Sequence, residues 1–218
     1  MASPVQIAYF VEPSFGENAY VLWVNDRGPC WIVDPGPEPS AAQIMEHIRE
    51  HGLTPEAVLL THGHIDHITG IPELLKVFKD LPVYIADEEK AALTQPQENL
   101  SCNLGLAFTT DVAETRNLSP DAEMSLDGST WKVLDTSGHS PGGRSFYCAA
   151  ARTVIVGDAM FQSSIGRTDF HHSDHDRLIR NIRGNLLSLP DDTKVLSGHG
   201  PATTVSNEKR FNPFLQDD

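Results

Sequence analysis

The sequence predicts an α/β protein in which two β-sheets face each other and helices cover their outer faces. Three observations carry this expectation. Short apolar, β-branched runs alternate with stretches of helical spacing. The order of strands followed by helices occurs twice along the chain, which suggests two sheet-and-helix halves packed into one layered core. The His- and Asp-rich stretches each fall just past a strand-like run, the usual place for a site in such a protein. No Gly/Ser linker, low-complexity tract or repeat divides the 218 residues, so one domain over 1–218 is expected.

The first third reads as a β-meander, with strands at 5–10, 20–24 and 30–33 separated by Pro, Gly and Asn-Asp turns. The third strand ends in Asp34-Pro35-Gly36. Asp34 is either ordinary turn chemistry or, beside a cationic site, a carboxylate that orients a ligand histidine. Residues 40–51 have helical spacing with Ile44 and Ile48 on the apolar side and Gly52 closing the helix. His47 and His51 lie on this helix, facing solvent or its rim, and are given no function. A buried strand at 57–60, a His-rich loop, and a helix at 71–78 with Pro72 in its first turn follow. Next come a strand at 82–86 and a short charged helix from Asp87. The segment 95–124 has weak periodicity and exceeds an ordinary connection; it is read as a lid or pocket wall, or as carrying a helix. Strands return at 131–134, 144–148 and 153–156. A helix at 178–189 is apolar through Ile179, Ile182, Leu186 and Leu187, and a last strand, 194–196, runs into Ser197-Gly198-His199-Gly200.

A formal net charge of −14 argues against polyanionic partners, which need clustered Lys and Arg, so no nucleic-acid partner is expected, and with neither span nor anchor read in the sequence no membrane partner is expected either. Met1-Ala2-Ser3-Pro4 leads straight into a strand-like segment, and no apolar run reaches membrane-spanning length. Cys30, Cys102 and Cys148 are odd in number and unpaired in spacing, which fits a reducing compartment and excludes a thiolate zinc site. A cytoplasmic location is expected.

The stretch Thr61-His62-Gly63-His64-Ile65-Asp66-His67 places three imidazoles and a carboxylate in a tight loop between strand and helix. A lone histidine there would be a loop residue; this cluster points to metal. His139, Asp158 and His199 each follow a later strand, beside Gly138, Gly157, Gly198 and Gly200, which allow tight backbone paths. Any one alone has a dull explanation as a turn, cap or loop residue. Five histidines and two aspartates without thiolate favour zinc, iron or manganese, and seven ligands suit two neighbouring ions, with a carboxylate able to bridge them.

This His-x-His-x-Asp-His loop resembles the metallo-β-lactamase superfamily, and the chain from about Tyr20 onward is similar to its compact glyoxalase II-like branch. Gly166-Arg167-Thr168-Asp169-Phe170, Gly198-His199-Gly200-Pro201 and Asn212-Pro213-Phe214 carry the branch-level likeness. The resemblance implies an αββα sandwich. It implies that His62, His64 and His139 hold one metal, that Asp66, His67 and His199 hold the other, and that Asp158 bridges them, most simply as a pair of Zn2+ ions. Full-length glyoxalase II carries a helical, glutathione-binding C-terminal domain; here the chain stops soon after Phe214, so that domain is expected to be missing.

The implied reaction is hydrolysis of a small thioester, S-acyl-glutathione or similar, by hydroxide generated at the two metals, with Asp66 and Asp158 as the catalytic carboxylates. A thiolate is a weak base and needs no strong general acid to leave. Arg167 could bind a substrate carboxylate, with Asn18 and Tyr20 lining the mouth. His171, His172 and His175 are read as a surface loop before a helix that Asp174 or Ser173 caps. The rival enzyme reading is a sulfur dioxygenase of the same superfamily, with one iron on His62, His139 and Asp158. Lactonase or β-lactamase activity is a further hydrolytic variant. A metal-stabilised scaffold is disfavoured, because structural ions are closed by four protein ligands whereas this set leaves open positions.

Overall fold

The computed structural model describes residues 4–216 apart from 111 and 113. Met1, Ala2 and Ser3, and these two positions of the segment 95–124, lie outside the described residues. The first sheet has six strands in sequence order, β1 (Gln6–Val11), β2 (Asn18–Trp23), β3 (Pro29–Val33), β4 (Thr54–Leu59), β5 (Val83–Ile85) and β6 (Thr115–Asn117). β1 to β3 pair antiparallel and β3 to β6 parallel. The parallel part needs crossovers, and α1 (Ser40–His51), α2 (Ile65–Ile68) and α3 (Ile71–Val77) lie within them.

The second sheet begins with β7 (Glu123–Leu126), β8 (Ser129–Asp135), β9 (Arg144–Cys148) and β10 (Thr153–Gly157). A small hairpin of β11 (Met160–Phe161) and β12 (Ser164–Ile165) and the helix α4 (His175–Asn181) follow. The sheet is completed by β13 (Lys194–Ser197) and β14 (Thr203–Thr204), in the order β14-β13-β10-β9-β8-β7, and α5 (Val205–Phe211) comes last. Only β10 and β13 run parallel.

Alternation along each strand explains the layering. In β2, Val21 and Trp23 point outward to Ile44 and Ile48 of α1 and Ile71 and Leu74 of α3, while Tyr20 and Leu22 point inward. The inward faces of both sheets meet in one apolar seam, with Trp31 and Leu59 from the first sheet against Trp131, Phe146 and Ile155 from the second. Trp31 and Trp131 touch across it with ring centroids 6.4 Å apart. Val154, Val156 and Val195 face the other way, onto Leu178, Ile182 and Val205. Strands buried on both faces lose the polar-apolar alternation of an open sheet, which is why β2 reads as a continuous apolar run. The result is an αββα sandwich.

The helix predicted at 40–51 is α1, closed by Gly52 in the left-handed conformation (φ 63°) with its N–H on the carbonyls of Arg49 and Ile48. Elsewhere the structure departs from expectation. The charged helix from Asp87 is 3-10, Asp87–Leu93. The helix predicted at 178–189 is α4 followed by a π-helical turn, Ile182–Leu186, with Gly184 inside it. The segment 95–124 contains the 3-10 turn Ser101–Leu104, β6 and the start of β7. Thr110 N donates to Leu93 O at 2.8 Å, so the stretch between them forms a closed loop. Asp127 (φ 46°) and Gly128 (φ 82°) make the left-handed turn that joins β7 to β8. No helix among the described residues is long and apolar enough to cross a membrane.

Candidate metal centre

The segments that follow β4, β8, β10 and β13 bring the seven predicted side chains together at one edge of the two sheets, with Asp66 and His67 on α2 and the other five in loops. In the first group, Nδ1 of His64 lies 3.1 Å from Nε2 of His62 and 3.0 Å from Nε2 of His139. In the second, Nε2 of His199 lies 3.2 Å from Oδ2 of Asp66, and Nε2 of His67 lies 3.8 Å from the same oxygen. Asp158 stands between the groups. Its Oδ1 is 3.4 Å from Nε2 of His67, and its Oδ2 is 3.4 Å from Nε2 of His199 and 3.7 Å from Nε2 of His139.

Each trio has ligand-type atoms converging closely enough to hold one ion. The donor chemistry fits divalent cations. Nε2 of His67 and Oδ1 of Asp158 are buried without a hydrogen-bond partner, and a buried polar atom left unpaired is costly unless something else satisfies it. Burial, reinforced by neighbouring imidazoles, holds His62 and His64 well below the usual histidine pKa, so both present neutral nitrogens. Burial opposes charge on His67 and His199 too, but the Asp158 and Asp66 carboxylates outweigh it: His67 is raised well above its ordinary value and His199 is pushed up to about 10. Protons there balance carboxylates that cations would otherwise balance.

The far nitrogen of most of these histidines has a partner that fixes its tautomer, as metal-binding histidines require. Nδ1 of His67 meets Oδ2 of Asp34 at 3.1 Å, and Nδ1 of His139 meets the Arg167 carbonyl at 2.8 Å. Nδ1 of His62 meets Oγ1 of Thr61 at 3.1 Å, and Nε2 of His64 meets Nε2 of His172 at 3.3 Å. Asp34 is thus the orienting carboxylate, the second of its two sequence readings. His172, predicted to be surface loop, reaches the centre because Ser173 donates to the His139 carbonyl (2.8 Å) and Asp174 N to the Gly138 carbonyl (2.7 Å). His171 and His175 stay exposed, and Asp174 caps α4 as expected.

Two buried glutamates escaped the sequence reading. Glu89 accepts from Gly63 N (3.1 Å) and Gly142 N (2.7 Å), tying the His62–His64 loop to the His139 loop. Glu17 lies under the second group; in the metal-free protein burial, above all, pushes its carboxyl up to about 9. Each is one acidic residue in an undistinguished stretch, and no local pattern marks it.

A cleft of about 500 Å³ opens over Asp66, Asp158 and His199, walled by Phe15, Leu100, Leu104, Phe161 and Phe170. The segment read as a pocket wall supplies Leu100, Asn103 and Leu104. Arg167 lines the cleft, stacked over Phe170 at 4.6 Å, with Asp169 engaging its Nε and Nη2. Asn18 and Tyr20 do not line the mouth, correcting the expectation for both. They are 97% buried, and their polar groups brace the end of β13: Asn18 Nδ2 donates to the carbonyls of Ser197 (3.0 Å) and Gly200 (2.9 Å), and Tyr20 OH to Ser197 (2.6 Å). Asn212, from the C-terminal motif, donates to the Ser164 carbonyl and to Glu208, away from the centre.

A sandwich of this topology with such a cluster on its edge defines a class, and the sequence match agrees: residues 14–199 match the metallo-beta-lactamase superfamily, and the chain belongs to it. Members of this superfamily bind divalent metals, and the chain is a metallo-hydrolase of that kind. It is 43% identical to the probable metallo-hydrolase YqgX of Bacillus subtilis over 91% of this chain and 92% of the relative. It is 34% identical to the hydroxyacylglutathione hydrolase GloC of Haemophilus influenzae over 93% of this chain and 94% of the relative. Among solved structures, the BLEG-1 B3 metallo-beta-lactamase superposes with a TM-score of 0.90 at 37% identity, covering 97% of this chain and all of that one. TTHA1623 in a di-iron-bound form gives 0.82 at 36% identity, covering 95% and 100%.

Proposed function

We propose that the chain hydrolyses small thioesters, using two divalent cations held by His62, His64 and His139 on one side and Asp66, His67 and His199 on the other, with Asp158 shared. The position of Asp158 carries this reading, because its two oxygens face histidines of both trios. Bound there, two cations would supply acidified water and Lewis-acid polarisation of a carbonyl. Zinc is the ion we favour, since imidazole and carboxylate donors suit it and it needs no redox partner.

The chain's own groups do the rest. Asp66 lies at the cleft floor and would orient the attacking water by accepting its hydrogen bond. The thiolate formed when the C–S bond breaks is a weak base, so the lack of a separate acid at the cleft is no handicap. Phe15, Leu104, Phe161 and Phe170 give the acyl group an apolar wall. Arg167 is largely exposed and Asp169 engages only its Nε and Nη2, so it can meet a substrate carboxylate beside Asp169 or in exchange for it. The thioester assignment draws support from the GloC relative, and the unpaired Cys30, Cys102 and Cys148 suit a reducing cytoplasm.

The test is metal content of protein purified without chelator or added metal, followed by thiol release from a panel of acyl thioesters with lactone and β-lactam controls. Two ions per chain and thiol release support the proposal. One iron per chain, with oxygen consumed on a persulfide, would replace it with the dioxygenase reading. The complete Asp66–His67–His199 trio favours two ions over one.

A further inference from the structure

A second group of ligand-type side chains sits beside the centre. Oε1 of Glu98 lies 3.9 Å from Nε2 of His171, which lies 3.2 Å from Nδ1 of His172, and ligand atoms of the three residues all lie within 4.8 Å of one another. None of the three lines the cleft. Both segments are anchored. The His171-His172 turn is fastened to the His139 loop through Ser173 and Asp174, and Glu98 N donates to Gln95 O at 3.0 Å beside the fully buried Asn99. Two imidazole nitrogens facing each other can share one proton, or can both direct lone pairs at a cation that replaces it. With a carboxylate alongside, the set is two nitrogens and an oxygen, a zinc-type donor group with room for water.

We propose that Glu98, His171 and His172 form a third cation site, separate from the seven-residue centre, that takes a zinc-like divalent ion and whose occupation disturbs the centre through His172. The link is a matter of tautomers. If His64 binds its ion through Nδ1, as the convergence with His62 and His139 indicates, its proton is on Nε2 and points at Nε2 of His172. With the third site empty, His172 accepts that proton at Nε2 and donates its own from Nδ1 to Nε2 of His171, so every contact is a proper hydrogen bond. A cation on Nδ1 of His172 moves the proton of that ring to Nε2. Two N–H groups then oppose each other across 3.3 Å, and His64 or His172 must turn. The third ion and the hydrogen bond that orients His64 therefore exclude each other. The existence of the site is independent of the hydrolase reading, whereas the coupling rests on His64 being a ligand.

The experiment is equilibrium dialysis of the whole chain against increasing free Zn2+, with metal counted per chain, for wild type, His171→Ala and Glu98→Gln. Both variants should saturate one ion below wild type, or need at least tenfold more Zn2+ for the last ion, whatever number the centre itself holds. Equal saturation at equal Zn2+ would overturn the site. Co2+ reads the coupling: in wild type the absorption of the tightly held ions should change as the last ion enters, and in His171→Ala it should not. A last ion that enters wild type without changing that absorption would overturn the coupling. A centre holding only one tight ion would count against two-ion hydrolysis while leaving the one-ion difference between wild type and variants intact.

Discussion

Asp34 receives His67 Nδ1 at 3.1 Å on the oxygen that also accepts the Thr61 hydroxyl at 2.6 Å, while its other oxygen takes the Thr61 backbone N–H at 2.7 Å. The Thr61 hydroxyl in turn meets Nδ1 of His62. One buried carboxylate therefore sets the ring orientation of a histidine in each trio. Asp34→Ala should weaken metal retention by roughly 10- to 100-fold, as loss of such partners does in other metal sites. Competition against a chromogenic chelator measures this, and unchanged affinity would remove Asp34 from the account.

Gly198 has no room for a side chain. A methyl group there would stand 2.2 Å from Oδ1 of Asp158 and 2.7 Å from Cε1 of His67, both inside contact distance. Gly198→Ala should still build the sheets, since the severe clashes are with side chains beyond the end of β13 and the nearest backbone atom, C of Gly157, stands 3.1 Å away. It should nonetheless displace the shared carboxylate and lower turnover by on the order of 100-fold, about 3 kcal/mol of transition-state stabilisation. Circular dichroism with metal analysis and kinetics would separate this from misfolding.

Metal uptake should release protons. In the metal-free protein the carboxylates of Asp158 and Asp66, against the opposing effect of burial, keep His67 and His199 protonated at neutral pH, yet a ligand nitrogen must be bare. Apparent affinity should rise with pH until His199 loses its own proton at about 10. The sign for stability is opposite. A histidine raised on folding contributes fully below its ordinary 6.5 and loses that contribution as pH climbs through about 10, so the metal-free protein should melt earlier at pH 9 than at pH 7. Calorimetry of metal binding in buffers of different ionisation enthalpy gives the proton count, and zero release at pH 7.5 would contradict the assignment.

Leu104 is half exposed on the cleft wall and belongs to neither trio. If the wall holds the acyl group, Leu104→Ala should raise KM for longer acyl thioesters several-fold while changing KM for acetyl thioesters little, since each lost methylene contact is worth about 1 kcal/mol. Equal effects on both would place the acyl group elsewhere.

The ligand cluster was legible because it combined a dense local motif with glycine-flanked residues at strand ends, and strand ends are where this topology converges. The central strands were legible for a related reason: burial on both faces makes β2, β3 and the second half of β4, Ala57 to Leu59, apolar runs. β6, β11, β12 and β14 have two or three residues each, too few for any period. The hairpin at Asp127-Gly128 could have been read, since Asp-Gly is a strong turn signal. Asn18 and Tyr20 were misplaced because nearness of a strand to a site does not say which face a residue takes; both point inward and backward, to the loop behind His199. His172 looked like surface because its contact depends on how a neighbouring turn is fastened, which no spacing records.

The loop closed by Thr110 and Leu93 has a bearing on how substrate range can change. Its ends are pinned to each other, Asn99 within it holds the carbonyls of Ala92 and Phe108, and Asn99 O receives the N–H of Ile65. It carries Leu100, Asn103 and Leu104 but none of the seven centre residues. Residues 94–110 thus behave as an exchangeable cassette with ready-made splice points. A graft from a relative that keeps Asn99 and both pinned ends would replace much of the wall seen by the acyl group in one step, leaving the seven centre residues as inherited.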